Sequence, residues 1–398
     1  MMHSQTRPFY ATAFFSHAFR PFFLLGSLYA ATAVLIWLPA FFGELTLHSA
    51  FAPLDWHVHE MLFGYISAVV AGFLFTAIPN WTGRLPLRGP ALLGLVAVWL
   101  AGRVAVAVSE MTGWLPALII DCGFLAAVSA AAVREIAAGK NWRNLKVVGL
   151  VGLLLAANVA FHLEVKFHGA ADTSIRAGIA LIVLLVSVIG GRVVPSFTRN
   201  WLARENPGRL PIPFSGFDKM VLAASAASLV LWVVRPAGGI TAVLLAVAGL
   251  LQCVRLSRWA GDRTWRDRLV LVLHIGYGFI ALGFLLVAAG AAGLEPASAG
   301  MHAWMVGGAG VMTLAIMTRA SLGHTGRPLV ASHATQVIYA AIAIAALSRI
   351  AAVIVPAQSM LLLHVAAAFW AMAFLGFVVC FAPVLFGARP GTRDLRAR

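Results

Sequence analysis

Charge is what this chain has least of. Of its 398 residues only 11% are Asp, Glu, Lys or Arg, while 61% are hydrophobic. Soluble domains carry about a quarter charged residues, so a water-exposed globular fold is excluded. Acid is scarcer than base: 14 Asp and Glu stand against 29 Lys and Arg, a formal net charge of +15. Cysteine is nearly missing too. Cys122, Cys253 and Cys380 are scattered through apolar stretches, which excludes a disulfide framework. No C-x-x-C-H occurs, and no G-x-x-x-x-G-K-[ST]; covalently attached haem and a P-loop ATPase are excluded with them. The run "GYGFIA" at Gly276 imitates a dinucleotide fingerprint, but it sits inside an apolar stretch with no strand before it.

What the chain does have is apolar runs long enough to cross a bilayer, about 20 residues each. Twelve are read, at 19–42, 57–80, 90–108, 114–138, 144–167, 174–199, 217–234, 238–256, 267–290, 300–322, 332–354 and 359–386. The expectation is an all-α integral membrane protein of about twelve transmembrane helices. It divides into a cytoplasmic segment 1–18, a transmembrane domain 19–386 and a basic cytoplasmic tail 387–398. The first apolar run shows no convincing cleavage site, so it is expected to stay as a helix. With both termini inside, 23 Lys and Arg fall on the inner side, and only Lys166, Arg176 and Arg235 fall outside. That bias is the positive-inside pattern, and it explains the basic balance through anionic lipid. No nucleic-acid partner is needed.

Arg103, Arg192 and Arg349 lie within the spans, where a charge is costly and is normally paired or functional. Asp121 is a plausible partner for Arg103 across a short hairpin. The other use for such arginines is to neutralise an anionic group such as haem propionates.

An internal repeat is visible. "HEMLFGYISAVVAGFLFTAIPNWTGR" (His59–Arg84) aligns without gaps on "HAWMVGGAGVMTLAIMTRASLGHTGR" (His302–Arg327), sharing His59/His302, Gly64/Gly307, Ala77/Ala320 and the final Thr-Gly-Arg. A third copy is indicated by "SFTRNWLARENPGRLP" at Ser196–Pro211, giving four-helix repeats. Repeats of this kind are common in transporters, where sites form at the repeat interface, and occur in redox bundles as well.

Histidine is the residue type through which such a bundle could hold a metal. His57, His59, His162, His302 and His364 fall near the expected outer face. A lone interfacial histidine is more often a hydrogen-bonded packing residue; five at one face make ligation an even alternative. In a regular helix His57 and His59 point about 200° apart, so they serve different environments, or His57 lies in an unwound turn. Glu60 follows His57 by three residues and is expected on its face. With Tyr65 it forms a candidate catalytic, proton-carrying pair. Asn158 and His162 share a face at i, i+4. His274 lies two turns into its span, with Tyr277 one turn on, and makes the strongest individual case for an axial haem ligand.

The strings "FRPFFLLGSLYA", "WHVHEMLFGYISAVVAGFLFTAIPNWTGR", "GGRVVPSFTRN", "HIGYGFIALG" and "MTLAIMTRASLGHTGRP" resemble the NnrS family of bacterial inner-membrane proteins, from about Phe19 to Pro383. The resemblance implies twelve helices, haem b and copper, and a part in resistance to nitric oxide. It implies His57, His59, His162, His274, His302 and His324 as the metal-ligating set. His59, His274, His302, Arg103, Arg192 and Arg349 are the candidates for cofactor binding. Nitric oxide is the expected ligand, and a quinol is the electron source that reduction would need. The alternatives are a transporter or metal- and haem-delivery protein, and a nitric-oxide-binding partner of a separate reductase.

Overall fold

The computed structural model describes residues 12–389. Most of the expected N-terminal segment 1–18 and basic tail 387–398 lies outside the described residues. Among those described there is helix and no strand. Twelve helices are long and apolar enough to cross a membrane: α1 (Phe19–Phe41), α2 (Pro53–Thr82), α3 (Pro90–Ala107), α4 (Trp114–Ala138), α5 (Trp142–His168), α6 (Asp172–Glu205), α7 (Gly216–Val234), α8 (Gly239–Arg263), α9 (Arg268–Ala291), α10 (Ser298–His324), α11 (His333–Ile354) and α12 (Pro356–Phe386). The chain is a multi-pass helical membrane protein. Helices are the fitting answer to this composition, because lipid offers the backbone no hydrogen bonds and each helix satisfies its own. Large side chains such as Val104, Val234 and Val379 are left exposed, as expected of surfaces that meet acyl chains.

Two compact units make up the chain. Residues 1–174, 320–328 and 377–398 form the first; residues 175–319 and 329–376 form the second. In the first, α2 lies between α1 and α4, and α4 lies between α3 and α5. Gly102 lets α3 approach α4 closely, since a Cβ there would lie 3.1 Å from the Cα of Asp121. In the second unit α9 touches both α8 and α10, and α10 touches α11. Phe279, Ala299, Ala303, Ala346 and Ile350 form a core there.

Helix starts follow local chemistry. Asp267 accepts from the amides of Leu269 and Val270 and caps α9; Ser332 caps α11 through Thr335; Ser215 and Asp218 form a reciprocal capping box on α7.

Two helices widen in the middle. α2 is α-helical over Pro53–His59, π-helical over Glu60–Ile66 and α-helical again over Ser67–Thr82. α10 repeats the pattern, with π turns over Ala303–Gly310 immediately after His302. The two π segments therefore begin at corresponding positions of the repeat seen in sequence. The third copy differs, because α6 is α-helical throughout.

A buried histidine–carboxylate cluster

In the first unit the helices bring six polar groups, His59, Glu60, Arg103, Asp121, Asn158 and His162, into one buried layer. Pro53–His59 is regular helix, so His57 and His59 do point apart, and the unwound turn is not needed. His57 stacks on Trp37 of α1, ring centroids 4.1 Å apart. His59 is fully buried and points inward, ringed by Phe51, Phe63 and Phe161 at 5.0–5.3 Å.

Glu60 turns out to hold His59, not His57. His59 Nδ1 donates to Glu60 Oε1 at 2.9 Å, and Nε2 lies 3.0 Å from Asn158 Oδ1 and 3.2 Å from Asp121 Oδ2. Glu60 keeps its α-helical place three residues after His57, its amide bonded to the Trp56 and His57 carbonyls, but its carboxylate reaches the adjacent ring of His59. Asp121 gathers the rest. Its Oδ2 accepts from Asn158 Nδ2 at 2.8 Å and from His162 Nε2 at 3.1 Å. Arg103 bridges the two carboxylates, through Nη1 to Glu60 Oε2 at 2.5 Å and through Nη2 to Asp121 Oδ1. The phenol of Tyr29 donates to Glu60 Oε2.

Burial explains why the groups assemble this way. Glu60, Asp121 and Arg103 are all at most 5% exposed, and a buried charge without a partner is severely destabilising. Each carboxylate is met by the one guanidinium, whose planar fork suits two acceptors. Gly64 makes room for it: a Cβ at Gly64 would lie 2.6 Å from Arg103 Nη1 and 2.9 Å from Glu60 Oε2. Trp99 Nε1 donates to the Gly64 carbonyl at 2.9 Å, fixing α3 against the π segment.

His59, Asp121 and His162 each offer a ligand atom, and those atoms all lie within 4.8 Å of one another. Two imidazoles and a carboxylate form a borderline nitrogen–oxygen set of the kind copper, iron and zinc accept. The residues fit a transition metal. A cation among them would take the place of the hydrogen bonds that now join these side chains, while Glu60 would stay on the other nitrogen of His59, the arrangement that orients a ligating imidazole.

The remaining sequence-predicted residues are spread through both units. Tyr65 is buried on the π segment of α2. His324, at the end of α10, faces the ring of Phe19 at 5.5 Å. In the second unit His302 Nδ1 donates to the Ser298 carbonyl at 2.6 Å. His274 is 7% exposed, with Nε2 2.8 Å from Thr198 Oγ1. The Thr198 hydroxyl donates to the Val194 carbonyl, so it accepts from His274 Nε2–H. The unprotonated Nδ1 is buried without a hydrogen-bond partner, against Gly261. Arg192 is exposed and Arg349 half-buried. Arg103 is engaged by two carboxylates, the ion-pair arrangement that Asp121 promised. Tyr29 was missed by sequence reasoning; nothing in "GSLYAAT" marks it until the fold places α1 beside Glu60.

Comparison with known proteins gives one assignment. The family model described as "NnrS protein" matches residues 13–389. No curated protein matches the chain.

Proposed function

Because this chain belongs to the NnrS protein family, we propose that it is a haem- and copper-binding protein of the bacterial inner membrane that captures nitric oxide and limits nitrosative stress. The observation that carries the proposal is the convergence of His59, Asp121 and His162 in a dry, buried layer. Copper is assigned to that cluster. Bound there, the metal would supply a redox-active centre for a small diatomic ligand that enters from the hydrocarbon, where nitric oxide partitions readily.

The chain's own groups set the conditions. Phe51, Phe63 and Phe161 keep water from His59. Glu60 orients the His59 imidazole, and its second oxygen exchanges a proton with the Tyr29 hydroxyl, to which it is hydrogen-bonded. Arg103 holds both carboxylates in place as charge at the site changes. For haem b, His274 fits best, since its buried Nδ1 lone pair is unclaimed; Gly261 must draw back for iron to reach it. His57, His302 and His324 remain further ligand candidates, Arg192 and Arg349 partners for propionates, and Tyr65 a second proton-carrying group beside Glu60.

Metal analysis of the purified full chain tests the assignment. Copper is expected near stoichiometric in the parent and lost in His59→Ala, Asp121→Asn and His162→Ala, with haem retained. Unchanged copper in all three would remove the cluster from consideration. Anaerobic nitric oxide consumption with a reduced quinol then separates turnover from capture. Consumption that depends on the quinol marks a reductase; a nitrosyl spectrum without consumption marks a binding partner of a separate reductase.

A further inference from the structure

At one end of the first unit, the first turn of α1, the last turn of α10 and the end of α12 bring basic groups together. Arg20 is only 4% exposed. Its Nη1 donates to the carbonyls of Leu385 at 2.7 Å and Gly387 at 2.8 Å, which caps the end of α12. That accounts for one nitrogen. Arg20 Nε is buried without a hydrogen-bond partner, and so is Nη1 of the half-buried Arg327. The charges that act on the group are of one sign: Arg327 on Arg20, Arg20 and Arg88 with His324 on His17, and Arg389 on His324. His17 and His324 flank the ring of Phe19 at 5.9 and 5.5 Å. Arg88 also lines a neighbouring groove of about 500 Å³ with Arg84 and Arg134. Glu135 there is taken by Arg84 at 2.6 Å and Arg134 at 2.9 Å, while the charge of Arg88 acts on His17.

A buried guanidinium N–H without an acceptor is costly, and crowding it with like charge adds repulsion. Helix capping explains one nitrogen of Arg20 and none of Arg327. Two guanidinium groups and two imidazoles with no acid among them complement an oxyanion, which accepts from several N–H groups at once. We infer that His17, Arg20, His324 and Arg327 form a seat for a phosphate-class oxyanion. The seat lies where three membrane helices begin or end, the depth at which phospholipid phosphates sit. A phospholipid headgroup and a free phosphate ion offer the same oxygens.

Native mass spectrometry of the full chain in neutral detergent tests this, with phosphatidylglycerol, phosphatidylcholine and inorganic phosphate offered in separate arms. The parent is expected to hold phosphatidylglycerol about tenfold more tightly than phosphatidylcholine, and Arg327→Gln to lose about tenfold. Arg143→Gln, which removes an equal charge from an exposed position, is expected to bind as the parent does. Phosphate binding without a lipid preference supports the seat and identifies the free ion as its occupant. If Arg327→Gln does not fold, Arg327→Lys keeps the charge, loses the fork and is expected to weaken binding about threefold. Equal retention of the two lipids with no phosphate bound overturns the inference. So does a loss of the same size in Arg327→Gln and Arg143→Gln, which would show only the general attraction of a basic surface.

Discussion

Gly64 shows how one missing methyl can decide a site. Arg103 reaches Glu60 and Asp121 only because nothing projects from Gly64 toward its guanidinium. Gly64→Ala is therefore expected to cost roughly 1–3 kcal/mol through overpacking, read as a lower thermal midpoint in detergent and as weaker copper retention. A variant as stable as the parent would show that Arg103 has freedom the geometry denies it. His17 carries a different prediction. Burial first, then Arg20, His324 and Arg88, hold its pKa below the usual 6.5. A depressed folded-state pKa contributes stability above the unfolded value, and that stability is lost as pH falls toward the folded one. Acidification below about 6.5 is expected to lower the thermal midpoint, and His17→Gln to flatten the profile; an identical slope in the variant would exclude His17 as the cause. Part of the residue layer was legible in sequence. The Arg103–Asp121 pairing and the shared face of Asn158 and His162 followed from hairpin length and helical spacing. Tyr29 was not legible, because its role depends on which helix neighbours Glu60.

At the scale of elements, α-helical spacing placed the backbone but did not decide which neighbour a long side chain would choose. His57 and His59 point apart as i, i+2 residues should. Glu60 keeps its α-helical place after His57 but pairs with the adjacent His59, and apolar periodicity carries no signal for the π turns that follow. π segments gather at functional sites, and this one carries Glu60, Gly64 and Tyr65 in seven residues. Gly307, the repeat counterpart of Gly64, meets the same demand in the second unit: a Cβ there would lie 2.3 Å from the Phe279 ring. Capping offers a cleaner test of how the helices begin. Asp267→Ala removes the acceptor for two amides of α9 and is expected to cost about 1 kcal/mol. Hydrogen exchange should rise at Leu269 and Val270 and stay unchanged in α11, which has its own cap at Ser332. Equal exchange at α9 in the two proteins would mean the cap is redundant.

At the scale of the whole molecule, the twelve spans were legible because bilayer thickness sets their length and the composition leaves little else. The division into two compact units was not, since it rests on contacts between residues far apart in sequence, with pieces of α10 and α12 assigned to both units. Charge sets the expected orientation: with both termini placed in the cytoplasm, 23 of the 29 basic residues would fall on the inner side. Alkaline phosphatase fused after Glu295, between α9 and α10, should be active, and fused after Gly261, before α9, inactive. The reverse result would invert every statement of side.

The paired π turns also keep the two copies in step. A widened turn in only one copy would rotate every later residue of that helix relative to its counterpart. His59–Arg84 and His302–Arg327 align through both π segments without a gap. Corresponding residues beyond the π turns therefore keep corresponding faces in the two helices, although one segment carries a carboxylate at its start and the other is rich in glycine.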